Sequence, residues 1–184
     1  MVNHQVDLPE VATTSRRRLL TSLLAGGAAA VAAPLFAGRA SAEGELLRDP
    51  KDFPSLNDAL KRERQMAATY AAAAAKASGD EKVALTLLFD HHDAYVGAIK
   101  GYLGNNAVAG TEAPLASPTG SFTQIASQMA SLEDQTATMH TDRLAVLVGH
   151  DAATLIASII TIEARHAAAL TLLGGATPLA AAGA

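Results

Sequence analysis

Apolar positions from Ser55 onward recur at spacings of three and four, the period of an α-helix with one buried face. Alanine and leucine dominate, and β-branched runs are few, which favours helix over strand. Four such stretches are predicted. The first covers roughly 55–77, opens at a Ser55-Leu-Asn-Asp58 N-cap and breaks at Ser78-Gly79-Asp80. The second runs over about 80–103 and stops before Gly104-Asn105-Asn106. After a loop containing Gly110, Pro114, Pro118 and Gly120, the third opens at Ser121-Phe-Thr-Gln124, a capping box, and reaches about 148. The fourth follows the Gly149-His150-Asp151 turn and runs over about 151–173, ending at Gly174-Gly175. Short first and third turns make two antiparallel hairpins, and the longer middle loop has the length to cross between them. The expected fold is an all-α, antiparallel four-helix bundle.

Each apolar stripe is interrupted by residues that do not belong in a core. The first helix has Leu56–Leu60–Glu63–Ala67–Tyr70 along one row, and the third has Ile125–Met129–Glu133–Thr136–His140. The fourth has Ile156–Ile159–Glu163–His166–Leu170, with Glu163 and His166 one turn apart. The second has Leu85–Leu88–His92–Tyr95–Ile99. An unpaired ionised carboxylate in an apolar core costs several kcal/mol, so these groups must be paired, protonated or bound to metal.

The interruptions also repeat. His92 and Tyr95 lie 29 and 32 residues after Glu63, while Glu163 and His166 lie 30 and 33 after Glu133. Tyr70 follows Glu63 by seven residues, as His140 follows Glu133. Measured from the turns, Glu133 and His166 fall at one height, as do Glu63 and Tyr95, so four polar stations meet in one mid-bundle layer.

This arrangement, with Leu132-Glu133-Asp134 and Ile162-Glu163-Ala-Arg-His166-Ala-Ala-Ala-Leu170, resembles the ferritin-like domain proteins found behind export signals; the similarity covers roughly 55–173. The resemblance implies a metal centre ligated by Glu63, Glu133, Glu163 and His166. The family shows Glu-x-x-His in the second helix, where this chain has His91-His92-Asp93-Ala94-Tyr95. By register His92 replaces the glutamate and Tyr95 the histidine. His92 can still ligate, and Asp90 or Asp93 can reach the layer after a small rotation. A dinuclear site, a mononuclear one and a vestigial metal-free one all stay open. His140 is read as a packing or entrance residue, His91 as a surface residue or one packed beside the first helix, and His150 as a turn residue. Lys61, Arg62 and Arg64 read as an exposed face flanking Glu63.

The amino terminus belongs to no helix of the bundle. Ser15-Arg16-Arg17-Arg18-Leu19-Leu20, an apolar run broken by Gly26-Gly27 and Pro34, and Ala40-Ser41-Ala42 follow the order of an export signal. The double arginine resembles the twin-arginine type; an ordinary secretory signal or a retained anchor are the other readings. Expected divisions are a signal peptide at 1–42, an extension at 43–54, the bundle at 55–173 and an Ala-rich tail at 174–184. Expected localisation is export through the cytoplasmic membrane, with no stable membrane anchor once the signal is cleaved after Ala42. Cleavage removes four arginines and two acids, taking the net charge from −4 to −6. An acidic chain without basic blocks is a poor partner for nucleic acid. The absence of cysteine excludes thiolate metal sites, disulfides and a nucleophilic cysteine, and leaves carboxylate and imidazole, donors suited to iron, manganese or zinc. No nucleophile elbow, phosphate loop or dinucleotide fingerprint occurs after residue 42. The functional expectation is an exported, iron-binding bundle acting in iron oxidation, sequestration or oxidative-stress protection, with a metal-free structural or stress-related envelope protein as the alternative; a homo-oligomer is compatible with either.

Overall fold

A computed structural model describes residues 48–175. The expected signal and most of the Ala-rich tail lie outside them. Four long helices make up the described chain: α1 (Phe53–Ala74), α2 (Gly79–Leu103), α3 (Phe122–Leu144) and α4 (His150–Leu173). Single 3-10 turns, Pro50–Asp52 and Gly104–Asn106, precede α1 and follow α2. There is no strand among the described residues. α1 packs chiefly on α2 and α3 chiefly on α4, with α1 also touching α3 and α2 touching α4. The architecture is a four-helix bundle of two hairpins.

The chain direction follows from who shares a core. One apolar cluster joins Leu56 and Leu60 of α1 to Ile99 and Leu103 of α2 and to Leu155 and Ile159 of α4. The other joins Tyr70 and Ala73, Leu85 and Leu88, Ala126 and Met129, and Leu170 and Leu173. The end of α2 and the start of α3 therefore lie at opposite ends of the bundle, and the connector between them runs its full length. α1 holds this connector with side chains: Asn57 Nδ2 donates to the Asn106 carbonyl (3.0 Å), Asn57 Oδ1 accepts from Val108 N–H (2.8 Å), and Thr69 Oγ1 accepts from Leu115 N–H (2.9 Å).

Three helix boundaries differ from expectation by more than a residue. α1 starts at Phe53, with Asp52 rather than Ser55 at its N-cap, and ends at Ala74, short of 77; α3 stops at Leu144, short of Val148. The buried Asp52 carboxylate accepts from Val148 N–H and Gly149 N–H, both at 2.8 Å, and this draws the α3–α4 turn out of helix. Ser121 does form the capping box with Gln124. α4 has the length and hydropathy of a membrane span, yet half of that stretch is buried inside the bundle.

Candidate metal centre

Between the two apolar clusters lies a polar layer. Glu63, His92, Glu133, His140 and Glu163 are wholly buried, and His166 nearly so. Each interrupts its helix where the stripe passes from one cluster to the other: Glu63 between Leu60 and Met66, His92 between Leu88 and Tyr95, Glu163 and His166 between Ile162 and Leu170. Helical spacing puts them on the inner face because their neighbours on the same row are core residues.

His92 sits at the centre. Its Nδ1 lies 2.7 Å from Glu63 Oε2 and its Nε2 3.2 Å from Glu133 Oε1. Burial alone would depress an imidazolium here, but Glu133 and Glu63 outweigh it and push His92 up to about 10. His140 Nε2 lies 2.5 Å from Glu63 Oε1 and 3.5 Å from Glu163 Oε1. Against burial, these two carboxylates raise His140 to about 9. Glu63 is correspondingly held well below the usual carboxylate range: the two histidines overcome its burial. Glu133 is likewise depressed, against its burial, by His92 and His166. Glu163 goes the other way. Burial and the nearby Glu63 carboxylate raise it, and its partner His140 does not compensate.

Several buried atoms in this layer have no hydrogen-bond partner: Glu133 Oε2, both Glu163 oxygens, His140 Nδ1 and His166 Nδ1. Such orphans are uncommon in folded proteins, each costing about 1–3 kcal/mol. His166 Nδ1 lies 3.5 Å from Glu133 Oε1, and its Nε2 lies 2.9 Å from His91 Nδ1, with the rings stacked. His91 is lowered to about 4 by burial and by His166, so it is neutral. When His91 Nδ1 accepts from His166 Nε2–H, the His166 Nδ1 lone pair is left free toward Glu133, the tautomer a metal ligand requires. Tyr70 O–H donates to Glu133 Oε1, whereas the buried Tyr95 hydroxyl has no hydrogen-bond partner.

The donor set fits a metal ion. His92, Glu133 and His166 each offer a ligand atom within 4.8 Å of the others, and so do Glu63, His140 and Glu163. Glutamate and imidazole without thiolate suit iron, manganese or zinc. A family model, described as the ferritin-like domain, matches residues 51–176. The chain belongs to the ferritin-like domain family. No curated protein and no solved structure gives a match.

Set against the ferritin-like plan, the five residues singled out in the sequence, Glu63, His92, Glu133, Glu163 and His166, all lie in this one layer. Other readings need correction. His140 is part of the layer; its two-turn offset from Glu133 was visible, but its approach to Glu63 on α1 is a product of packing. His91 is buried with its ring stacked on His166 of α4, and is not a surface residue. Asp90 and Asp93 point to solvent and do not replace the missing glutamate. Arg62 is half-buried, its Nε–H donating to Thr136 Oγ1 (2.8 Å) on α3, so only part of the basic cluster is an exposed face. Arg165 and His150 are exposed.

Proposed function

We propose that this ferritin-like protein binds iron in mid-bundle and oxidises or sequesters it, protecting the cell envelope from oxidative damage. The observation that carries the reading is the set of unpartnered donor atoms on Glu133, Glu163 and His166, in a layer that already holds three carboxylates. A bound cation would satisfy them together, and iron would bring one-electron chemistry to the site. The chain's own contribution is to fix the donors: His91 orients His166, Tyr70 orients Glu133 and places a phenol beside it, and the flanking apolar clusters exclude water. Manganese or zinc are the competing ions by donor type.

A second reading has support of its own. His92 and His140 already satisfy Glu63 and part of Glu133 by hydrogen bonding, so a metal-free bundle in the envelope would keep half of the layer paired. Metal analysis of protein purified without added metal separates the two. Near-stoichiometric iron that is lost in Glu163→Ala supports the first; a trace of metal unchanged by the substitution overturns it.

Export is the localisation proposed, on the strength of Ser15-Arg16-Arg17-Arg18-Leu19-Leu20 and Ala40-Ser41-Ala42. The twin-arginine route would let the bundle fold and load metal before crossing the membrane. Replacing Arg16 and Arg17 by lysine should then leave the protein in the cytoplasm, and undiminished secretion would refute that route.

A further inference from the structure

At the edge of the polar layer, Tyr95 holds a polar group that nothing around it uses. The residue is 2% exposed, and its hydroxyl has no hydrogen-bond partner. A buried hydroxyl left unpaired is costly, and a phenylalanine would fill the same space without that cost. The hydroxyl is thus placed for a partner that the described residues do not supply.

Its surroundings define that partner. Tyr95 lies three residues beyond His92 on the inner face of α2, about 4.5 Å of helix rise further along. Its ring stands edge-on to the His92 imidazole, with centroids 5.7 Å apart. It packs in the apolar cluster that holds Leu60 of α1 and Ile159 and Ile162 of α4, the residues that precede Glu63 and Glu163 on their helices. Burial, then the carboxylates of Glu63, Glu163 and Glu133, push the phenol's pKa up, so the hydroxyl lies within the field of the layer. Both oxygens of Glu163 are also without hydrogen-bond partners. A phenol O–H and a carboxylate pair when they meet. Here donor and acceptor are both buried, within electrostatic reach of each other, and unpaired. That is the arrangement of two ligands held apart for a third body, and a cation would satisfy both. Water is the competing occupant.

We propose that Tyr95 is a metal ligand, its phenolate oxygen binding a ferric ion held by Glu63 and Glu163. This rests on the iron-binding reading above and adds to it a donor where the ferritin-like pattern has histidine. When the ligand forms, the phenol O–H bond breaks, the O–Fe bond takes its place, and the proton leaves to solvent; no electron moves. A bound cation reverses the local preference for the neutral form, as it does for coordinating thiols, and tyrosine is a donor to iron in haem proteins. An anionic oxygen favours the more highly charged ion, so tyrosine in place of histidine turns the site toward holding ferric iron rather than cycling it.

The test gives metal-free full-length protein one equivalent of ferric iron as a weak chelate, then measures bound iron with visible absorption and resonance Raman spectra. The expected result is a phenolate-to-iron charge-transfer band, with phenolate ring vibrations enhanced on excitation into it. Tyr95→Phe should lose the band, bind iron about tenfold or more weakly, and leave the metal-free thermal midpoint unchanged or higher, since only an unpaired hydroxyl is removed. Tyr95→His should bind iron without the band. Tyr70→Phe should keep it. Of the three tyrosines, Tyr70 donates to Glu133 and Tyr102 lies against Gly149 at one end of the bundle, so a band kept in Tyr70→Phe points to Tyr95 even where Tyr95→Phe does not fold. Iron bound by wild type without a phenolate band, as water in the gap would give, overturns the proposal and leaves the iron-binding reading standing. A band that survives Tyr95→Phe or vanishes in Tyr70→Phe overturns it equally. If wild type binds no iron, both fail.

Discussion

Three carboxylates buried in one layer cannot all stay ionised without counter-charge, and in this chain protons on His92 and His140 supply it. His92 and His140 titrate at about 10 and 9 when folded, above their ordinary 6.5, and Glu163 is also raised. Groups raised on folding stabilise below their unfolded pKa and lose that contribution as pH climbs through the folded one. Metal-free protein should therefore have a lower thermal midpoint at pH 9 than at pH 6. Metal binding displaces the same protons, so stabilisation by added metal should grow over that range. Calorimetry with and without metal checks both, and a flat profile would count against the protonated layer. Glu163→Gln removes a carboxylate whose oxygens lack partners and which Glu63 repels. It should stabilise metal-free protein by about 1 kcal/mol and abolish metal uptake by the Glu63–His140–Glu163 group, opposite effects that a structural residue would not produce. His91→Phe keeps the stacked ring but removes the acceptor for His166, and should weaken metal binding by roughly 10–100-fold with little loss of fold.

Among the elements, the α3–α4 turn shows what local pattern cannot supply. The stripe of α3 continues through Leu147, and nothing in that stretch announces a stop at Leu144. The stop comes from Asp52, which is 96 residues away from Val148 and takes its N–H and that of Gly149. Gly149 is needed for this approach, because a Cβ there would stand 2.7 Å from Asp52 Oδ2 and 3.3 Å from the Tyr102 hydroxyl. Asp52→Ala should cost about 2 kcal/mol by leaving two N–H groups unpaired, and Gly149→Ala should cost about 1–3 kcal/mol by displacing the carboxylate. Thermal or denaturant unfolding measures both; equal stability of either variant to wild type would show that the turn does not depend on this contact. The Ser121 cap, by contrast, was legible because both of its partners, Ser121 and Gln124, lie within one turn.

For the whole molecule, the polar layer splits the core into two apolar clusters, so the bundle's cohesion across its middle depends on what fills that layer. Iron or zinc at a hundredfold excess over Kd should add about 2.7 kcal/mol and raise Tm by several degrees, read by calorimetry against a chelated control. The sequence by itself determined the helices, their two hairpins and which residues interrupt the stripes, because helical period and turn residues are local properties of the chain. It also put Glu133 and His166 at one height, since both are counted from the same short turn. It did not determine that His140 joins Glu63, that His91 backs His166, or that Arg62 crosses to Thr136. Those pairs lie on different hairpins, joined only by a connector whose path no residue count specifies. Only packing of α1 against α3 and of α2 against α4 brings them together, and with them the division of the layer into two unequal donor sets. The physical reason is one of range: periodicity says which face of a helix is buried, while the neighbour that face meets is chosen by how whole helices fit together.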